Sequence, residues 1–352
     1  MKNTKYLQVY RLIKQKIIDG EYKVGSKIPS KRVMADILGV STITIENGYR
    51  CLADEGYITS KERCGYIVSA DSRDFSVKSE TMDNPIKLLE LKKYDVNVDF
   101  EHSVWFKTIR KVISDYNKEL FIKSDNMGCP VLRNAISEYL LRYRGMFAQP
   151  ERILISSGAE RLYEIAVRIL GRDKIYGIED PSYPIIQSVY DGIGVKTKKL
   201  KMGKKGITTK SLSNNEFEVL HVTPFQSYPT GATADINKRF EYLDWAVENN
   251  GFIVEDDFNS EFFKPGNPIE SLYSLDKNDL VIYINTFSKS ISSSIRIGYM
   301  IIPEQLMSKY EKEMSVYSCS VPVLDQYILA EFISSGDFER HLSRKRRRMK
   351  EL

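Results

Sequence analysis

Val281-Ile282-Tyr283-Ile284 runs into Thr286-Phe287-Ser288-Lys289, and Arg296-Ile297-Gly298-Tyr299 follows the lysine at a distance of seven residues. The apolar run reads as a buried strand, and the hydroxylated segment after it reads as a turn. An amine held just beyond a strand end can form an imine with an aldehyde, and two hydroxyls with a guanidinium suit a phosphate. This stretch therefore asks for other strand ends to complete a site.

Such ends recur upstream. Ile153-Leu154-Ile155 leads into Ser157-Gly158-Ala159-Glu160 and a helix to about Leu170. Residues 174–178 lead into Glu179-Asp180-Pro181-Ser182-Tyr183, and residues 219–223 into a loop ending Tyr228-Pro229-Thr230-Gly231. Residues 252–255 lead into Asp256-Asp257-Phe258. Alternation of this kind predicts an α/β domain with a mostly parallel sheet covered by helices. In such sheets the site forms outside the carboxyl ends of the strands, where each of these polar groups falls.

Each group then has a chemical reading. Ser157, Gly158 and Ala159 open a helix, whose free N–H groups and dipole attract phosphate. Thr286, Ser288 and Arg296 complete that cradle. Asp256 suits a protonated pyridine nitrogen, Tyr183 suits the face of the ring, and Lys289 is the imine lysine. The cofactor that these residues describe is pyridoxal 5′-phosphate, PLP.

The first 70 residues read differently. Tyr6, Tyr10, Ile13 and Ile17 repeat at helical spacing from about Thr4 to Asp19, and Gly20 ends that helix. Ser30 caps a second helix with Val33, Met34, Ile37 and Leu38 as its expected buried face. Ser41 caps a third, which carries Ile45, Tyr49 and Leu52 inward and stops at Gly56. Residues 57–59 and 66–68 then form a hairpin around Gly65, which would be a wing.

Charge agrees with that division. Residues 1–70 hold 12 Lys/Arg and 7 Asp/Glu, whereas the rest of the chain holds 40 of each. The whole excess of +5 thus lies in the first fifth of the chain, as a nucleic-acid module requires. No apolar run reaches the roughly 20 residues that span a bilayer, and no signal-peptide core follows Met1, so the expected location is cytoplasmic. The four cysteines have neither metal-ligand spacing nor a disulfide pattern. The domain plan is a winged helix-turn-helix over 1–70, a polar linker over 71–90 and a PLP-binding domain over 91–352.

Two resemblances follow from these motifs. The order helix, Ile-Pro-Ser-Lys-Arg, helix, Leu-Gly-Val-Ser, helix, Asp-Glu-Gly-Tyr, hairpin resembles the GntR-family winged helix over residues 5–69. That resemblance implies that Arg32, Ser41, Thr42, Thr44, Arg63 and Gly65 face a double-stranded DNA operator. The motifs around Gly158, residues 179–184, residues 228–231, residues 255–258 and Lys289 look like those of fold-type I aminotransferases. The stretch from Asn126 to Tyr143 also resembles the segment before the first large-domain strand. A GntR winged helix joined to such a domain is similar to the MocR/GabR family of transcription regulators. That resemblance implies a PLP-responsive regulator with a small amine or amino acid as effector, and a head-to-tail homodimer with PLP sites near the subunit interface.

The chain also departs from the pattern. Thr42 and Glu46 stand where many relatives carry arginine, Phe258 where many carry a tyrosine that bonds the cofactor's O3′, and Tyr228 where aminotransferases usually have asparagine. The chain ends at Leu352, inside a basic stretch from Arg340 to Arg348 that reads as the exposed face of a helix. In the family a C-terminal subdomain follows that helix and supplies an arginine for the substrate carboxylate, so a fragment or a shortened relative is expected. Two other readings stay open: a PLP-dependent aminotransferase, and a regulator that no longer binds PLP.

Overall fold

The computed structural model describes residues 5–61, 65–69, 100, 102–214, 216–262 and 270–351, without the side chains of 349–351. The linker expected over 71–90 and the wing residue Arg63 lie outside the described residues. The chain divides into two compact units, Met1–Lys93 and Tyr94–Leu352.

In the first unit α1 (Lys5–Ile18), α2 (Lys31–Leu38) and α3 (Thr42–Asp54) precede the strands β1 (Ile58–Lys61) and β2 (Gly65–Val68). The two strands pair antiparallel, with Ile58 opposite Val68. The core is built from Val9, Ile13 and Ile17 of α1, Met34 and Ala35 of α2, Ile45, Tyr49 and Leu52 of α3, and Ile58 and Val68 of the hairpin. Ser30 and Ser41 cap α2 and α3 by accepting from the N–H groups of Val33 and Thr44. Gly48 lets α1 and α3 approach: a Cβ there would meet Val9 Cγ1 at 3.0 Å and the Tyr6 carbonyl at 3.2 Å.

The inward face of α2 differs from the expected one. It is centred on Met34, Ala35 and the half-buried Leu38, which turns Val33 and Ile37 outward to 50% and 63% exposure. An eight-residue helix between two loops can take several rotations, and its packing partners choose among them.

The second unit contains α4 (His102–Tyr116), α5 (Pro130–Tyr139), β3 (Ile153–Ser156), α6 (Ala159–Leu170), β4 (Ile175–Asp180), α7 (Pro184–Gly192), β5 (Lys196–Gly203) and β6 (Gly206–Ile207). It continues through α8 (Thr209–Leu212), β7 (Val219–Val222), α9 (Ile236–Glu248), β8 (Phe252–Asp256), α10 (Leu272–Leu275), β9 (Val281–Thr286) and α11 (Phe287–Ser290). The last elements are β10 (Gly298–Ile301), α12 (Glu304–Met314), α13 (Val323–Ser334) and α14 (Asp337–Glu351). Eight strands form one sheet in the order β3-β10-β9-β8-β7-β4-β5-β6. The run from β9 to β5 is parallel, and β10 is antiparallel to both of its neighbours.

Alternation along the strands feeds two layers. Ile153, Ile155, Tyr283, Tyr299 and Ile301 pack with Leu132, Ile136, Leu329 and Ile333 on one face. Leu154, Ile282, Ile284 and Met300 pack with Leu162, Ala166, Tyr190 and Leu306 on the other. The mostly parallel α/β domain is therefore as expected, with three strands, β5, β6 and β10, that the sequence pattern hides. Strand β5 is lysine-rich, with only Leu200 of its residues fully buried, and lies next to the sheet edge, where charge is tolerated. Strand β10 places Gly298 opposite both Ser156 and Thr286. Its start, and with it Arg296, thus lies at the edge where β3 and β9 end.

Candidate functional site

That sheet edge holds a cavity of about 250 Å³. Ala159, Tyr183, Asp256, Thr286, Ser288, Lys289 and Arg296 of the sequence reading line it together. Ser157 and Gly158 do not line it but stand beside it. The Ser157 N–H donates to Ser320 Oγ at 3.2 Å, and a Cβ on Gly158 would lie 2.8 Å from Arg296 Nη2. Glu160, Tyr163, Ile185, Tyr228 and Phe258 complete the wall. The sequence reading gave Glu160 and Tyr163 no role at this site.

Lys289 sits at the end of α11, one short turn after β9. The residue is exposed overall, but its Nζ lies 4.9 Å from the centre of the Phe258 ring and 5.8 Å from that of Phe262. The ammonium donates to Oδ1 of Asn259. Partial burial against these rings holds the amine below its ordinary pKa. Thr286 Oγ1 donates to Ser288 Oγ at 3.1 Å, and Ser288 Oγ to the Ile295 carbonyl at 3.0 Å. Arg296 Nη2 donates to Glu160 Oε2 at 2.7 Å.

Asp256 ends β8 and is buried. The Tyr163 hydroxyl donates to its Oδ2, while Oδ1 is buried with no hydrogen-bond partner among the described residues. Burial pushes the carboxyl up to about 7, against the Tyr163 hydrogen bond, which favours the charged form. Behind Tyr163 lies His221, with ring centres 5.0 Å apart and Nδ1 2.7 Å from the Tyr190 hydroxyl. Burial lowers His221 to about 3, so it is neutral at physiological pH. Tyr183 and Tyr228 are exposed and meet edge to face, 6.0 Å between ring centres.

The segment bearing Lys289 is tied to the last helix. His341 Nε2 lies 2.8 Å from the Ser290 carbonyl, and Lys345 Nζ donates to the Lys289 carbonyl at 2.7 Å. Arg346 donates to the Glu261 carbonyl and to the Tyr143 hydroxyl. The basic run is thus amphipathic, not simply an exposed face: Leu342, His341 and Arg346 are buried. The carbonyls of Lys289 and Ser290 in α11, and that of Glu261, find donors in it.

In the first unit Arg32, Ser41 and Thr42 are exposed, Thr44 is half-buried, and Gly65 starts β2 with φ 90°. The hydroxyls of Ser41 and Thr44 lie 2.9 Å apart, so part of their bonding capacity serves the cap of α3. Sequence reasoning singled out Glu46 but missed its neighbours on the outward stripe of α3, Ile43, Asn47 and Arg50, at helical spacing. Ile43 is 69% exposed. Glu46 is neutralised by Lys31 at 2.8 Å, and Arg50 donates to Asn47 Oδ1 at 3.0 Å.

Residues 5–68 match the family described as bacterial regulatory proteins, gntR family. The HTH-type transcriptional regulator YdeL of Bacillus subtilis, itself uncharacterized, is 35% identical over 351 residues, which cover 97% of this chain and 76% of that protein. The probable rhizopine catabolism regulatory protein MocR of Rhizobium meliloti is 29% identical over 363 residues, 97% of this chain and 74% of that protein. The second unit has the fold of Pyrococcus horikoshii kynurenine aminotransferase, solved with PMP (TM-score 0.64, 22% identity, 71% of this chain and 64% of that one). The chain therefore spans about three quarters of the regulators and under two thirds of the enzyme. A winged helix-turn-helix carried with an aminotransferase-like domain defines a DNA-binding transcription regulator. The chain belongs to the MocR-type branch of the GntR regulators. Among the described residues no helix is long and apolar enough to cross a membrane.

Proposed function

We propose that this regulator senses PLP, or the product of PLP with a small amine or amino acid, in the cavity at the end of β9, and that occupancy alters its hold on an operator. The supporting observation is the convergence there of the Lys289 amine, a buried oxygen of Asp256 that has no hydrogen-bond partner among the described residues, and Arg296 beside Gly158. These residues fit PLP. Among the described residues the buried Asp256 Oδ1 has no hydrogen-bond donor, and a protonated pyridine nitrogen would supply one. Gly158 has a φ of 95°, a conformation that residues with side chains rarely adopt, and bare backbone beside a guanidinium suits a phosphate.

In this reading Lys289 anchors the cofactor's aldehyde and Asp256 holds its ring nitrogen. Ser157, Gly158, Ala159, Thr286, Ser288 and Arg296 hold its phosphate, and Tyr183 covers its ring. PLP, when bound, supplies an aldehyde that exchanges one amine for another and a ring that withdraws electrons. Asp256 must be ionised for that role. A cationic partner at Oδ1 favours the charged form and offsets the burial that raises its pKa. Partial burial lowers the Lys289 pKa, which favours the uncharged amine that attacks.

Residues 1–70 act in this proposal as the operator-binding module and residues 91–352 as the sensor. Arg32, Ser41, Thr42, Thr44 and the wing around Arg63 and Gly65 face DNA, together with Ile43 and Asn47. The working form is a cytoplasmic head-to-tail homodimer, which sedimentation of the full chain tests. Occupancy shifts the balance between two arrangements of the dimer only as far as PLP or its adduct binds them unequally.

The test is chemical. The full chain is incubated with PLP, reduced with borohydride and digested. The pyridoxyl group should appear on Lys289, and Lys289→Ala should not acquire it. Binding to an operator selected from random DNA should change when PLP and then an amino-acid panel are added. A pyridoxyl group on a different lysine, or operator binding indifferent to PLP and amines, overturns the reading.

A further inference from the structure

Glu160 is the second residue of α6, and its carboxylate folds back over the N-terminus of that helix. Its Oε2 accepts from Arg296 Nη2 at 2.7 Å. A Cβ on Gly158 would lie 2.8 Å from that nitrogen and 3.1 Å from that oxygen, so the ion pair rests against the Gly158 backbone. A helix N-terminus and a guanidinium both attract an anion. The anion that holds this place is the chain's own carboxylate. The neighbouring hydroxyls are also turned inward, Thr286 to Ser288 and Ser288 to the Ile295 carbonyl.

We propose that Glu160 competes with the cofactor's phosphate for Arg296 and the start of α6, and thereby sets the concentration at which the site fills. The proposal rests on the PLP reading above. A phosphate monoester carries nearly two negative charges at neutral pH, and a carboxylate beside it is repelled. For phosphate to bind, Glu160 must leave the guanidinium and swing into solvent. It is free to do so, because the Glu160 and Arg296 side chains are 38% and 52% exposed. An exposed ion pair is weak, so phosphate displaces it at a modest loss of affinity. An enzyme gains from a permanently held cofactor. A sensor needs a site that empties and fills as the cofactor level changes, and an internal competitor provides one without weakening any cofactor contact.

The competition predicts a difference between phosphorylated and unphosphorylated ligands. Full-length wild type, Glu160→Gln and Glu160→Ala are titrated by equilibrium dialysis with PLP and with pyridoxal, which has the aldehyde and ring but no phosphate. Both variants should bind PLP about three- to tenfold more tightly than wild type, the scale of removing one exposed like charge. Pyridoxal affinity should stay unchanged. An unchanged or weaker PLP affinity, or an equal gain for pyridoxal, overturns the competition while the cavity keeps its assignment. Absence of PLP binding in all three proteins, with no pyridoxyl group on Lys289, overturns the cavity assignment itself.

Discussion

Tyr163 donates its hydroxyl to one oxygen of Asp256 and leaves the other buried without a hydrogen-bond partner among the described residues. The tyrosine fixes the rotation of the carboxylate, and so determines which oxygen remains for a ligand.

Tyr163→Phe removes the side-chain donor to a buried carboxylate. Hydrogen bonds to charged groups contribute about 1.5–3 kcal/mol, so the variant should lose roughly that much stability at pH 8.5. Urea denaturation of the cofactor-free protein measures it. A midpoint equal to wild type would show that Tyr163 does not support Asp256.

Burial raises Asp256 to about 7 and Glu179 to about 8, the latter despite donors from Ser227 and the Thr223 N–H. Unfolded, both groups ionise near their ordinary values of about 4. Between about 4 and their folded values the native state holds protons that the unfolded state has lost, and stability falls as pH rises through that window. The cofactor-free protein should therefore be less stable to urea at pH 8.5 than at pH 6. Asp256→Asn should reduce the difference by about 1 kcal/mol, the share of one group titrating near 7.

Arg144 is buried against two carboxylates, 3.0 Å from Asp257 Oδ2 and 3.9 Å from Glu261 Oε1. Tyr283 and Asn285 donate to the same acids at 2.7 and 3.0 Å. Arg144→Met keeps much of the volume but leaves two buried acids without their cation. A loss of about 3–5 kcal/mol is expected, read as a lower urea midpoint. A double change with Asp257→Asn should recover part of it.

Ile43 offers an exposed methyl surface on the outward face of α3. Its natural partner in a major groove is the thymine 5-methyl group. On an operator selected with wild type, replacing one thymine by uracil should weaken binding about three- to tenfold, within the discrimination of a single base contact. Ile43→Ala should bind the two DNAs alike. Electrophoretic titration at fixed salt decides this, and equal wild-type affinity for every uracil substitution sinks the contact.

Much of this molecule is legible from neighbours in sequence. Ser30 and Ser41 as caps, the glycine-bounded helices of the first unit, and the strand-then-polar rhythm of the second all act within a turn or two of chain, and the structure follows them. The family motifs were equally local, which is why the winged helix, the aminotransferase-like fold and the regulator class could be read early. Other facts depend on partners far apart in the chain. Glu160 meets Arg296, Tyr163 meets Asp256, and Lys345 meets the Lys289 carbonyl only because β10 runs antiparallel between β3 and β9 and the helices pack over that edge. The rotation of α2, which exposes Ile37, is likewise chosen by packing. A sequence spells out short-range backbone preferences and the period of burial. Which buried acid finds a donor, and which guanidinium already holds an anion, depends on sheet register and helix rotation, and those are settled by the whole fold at once.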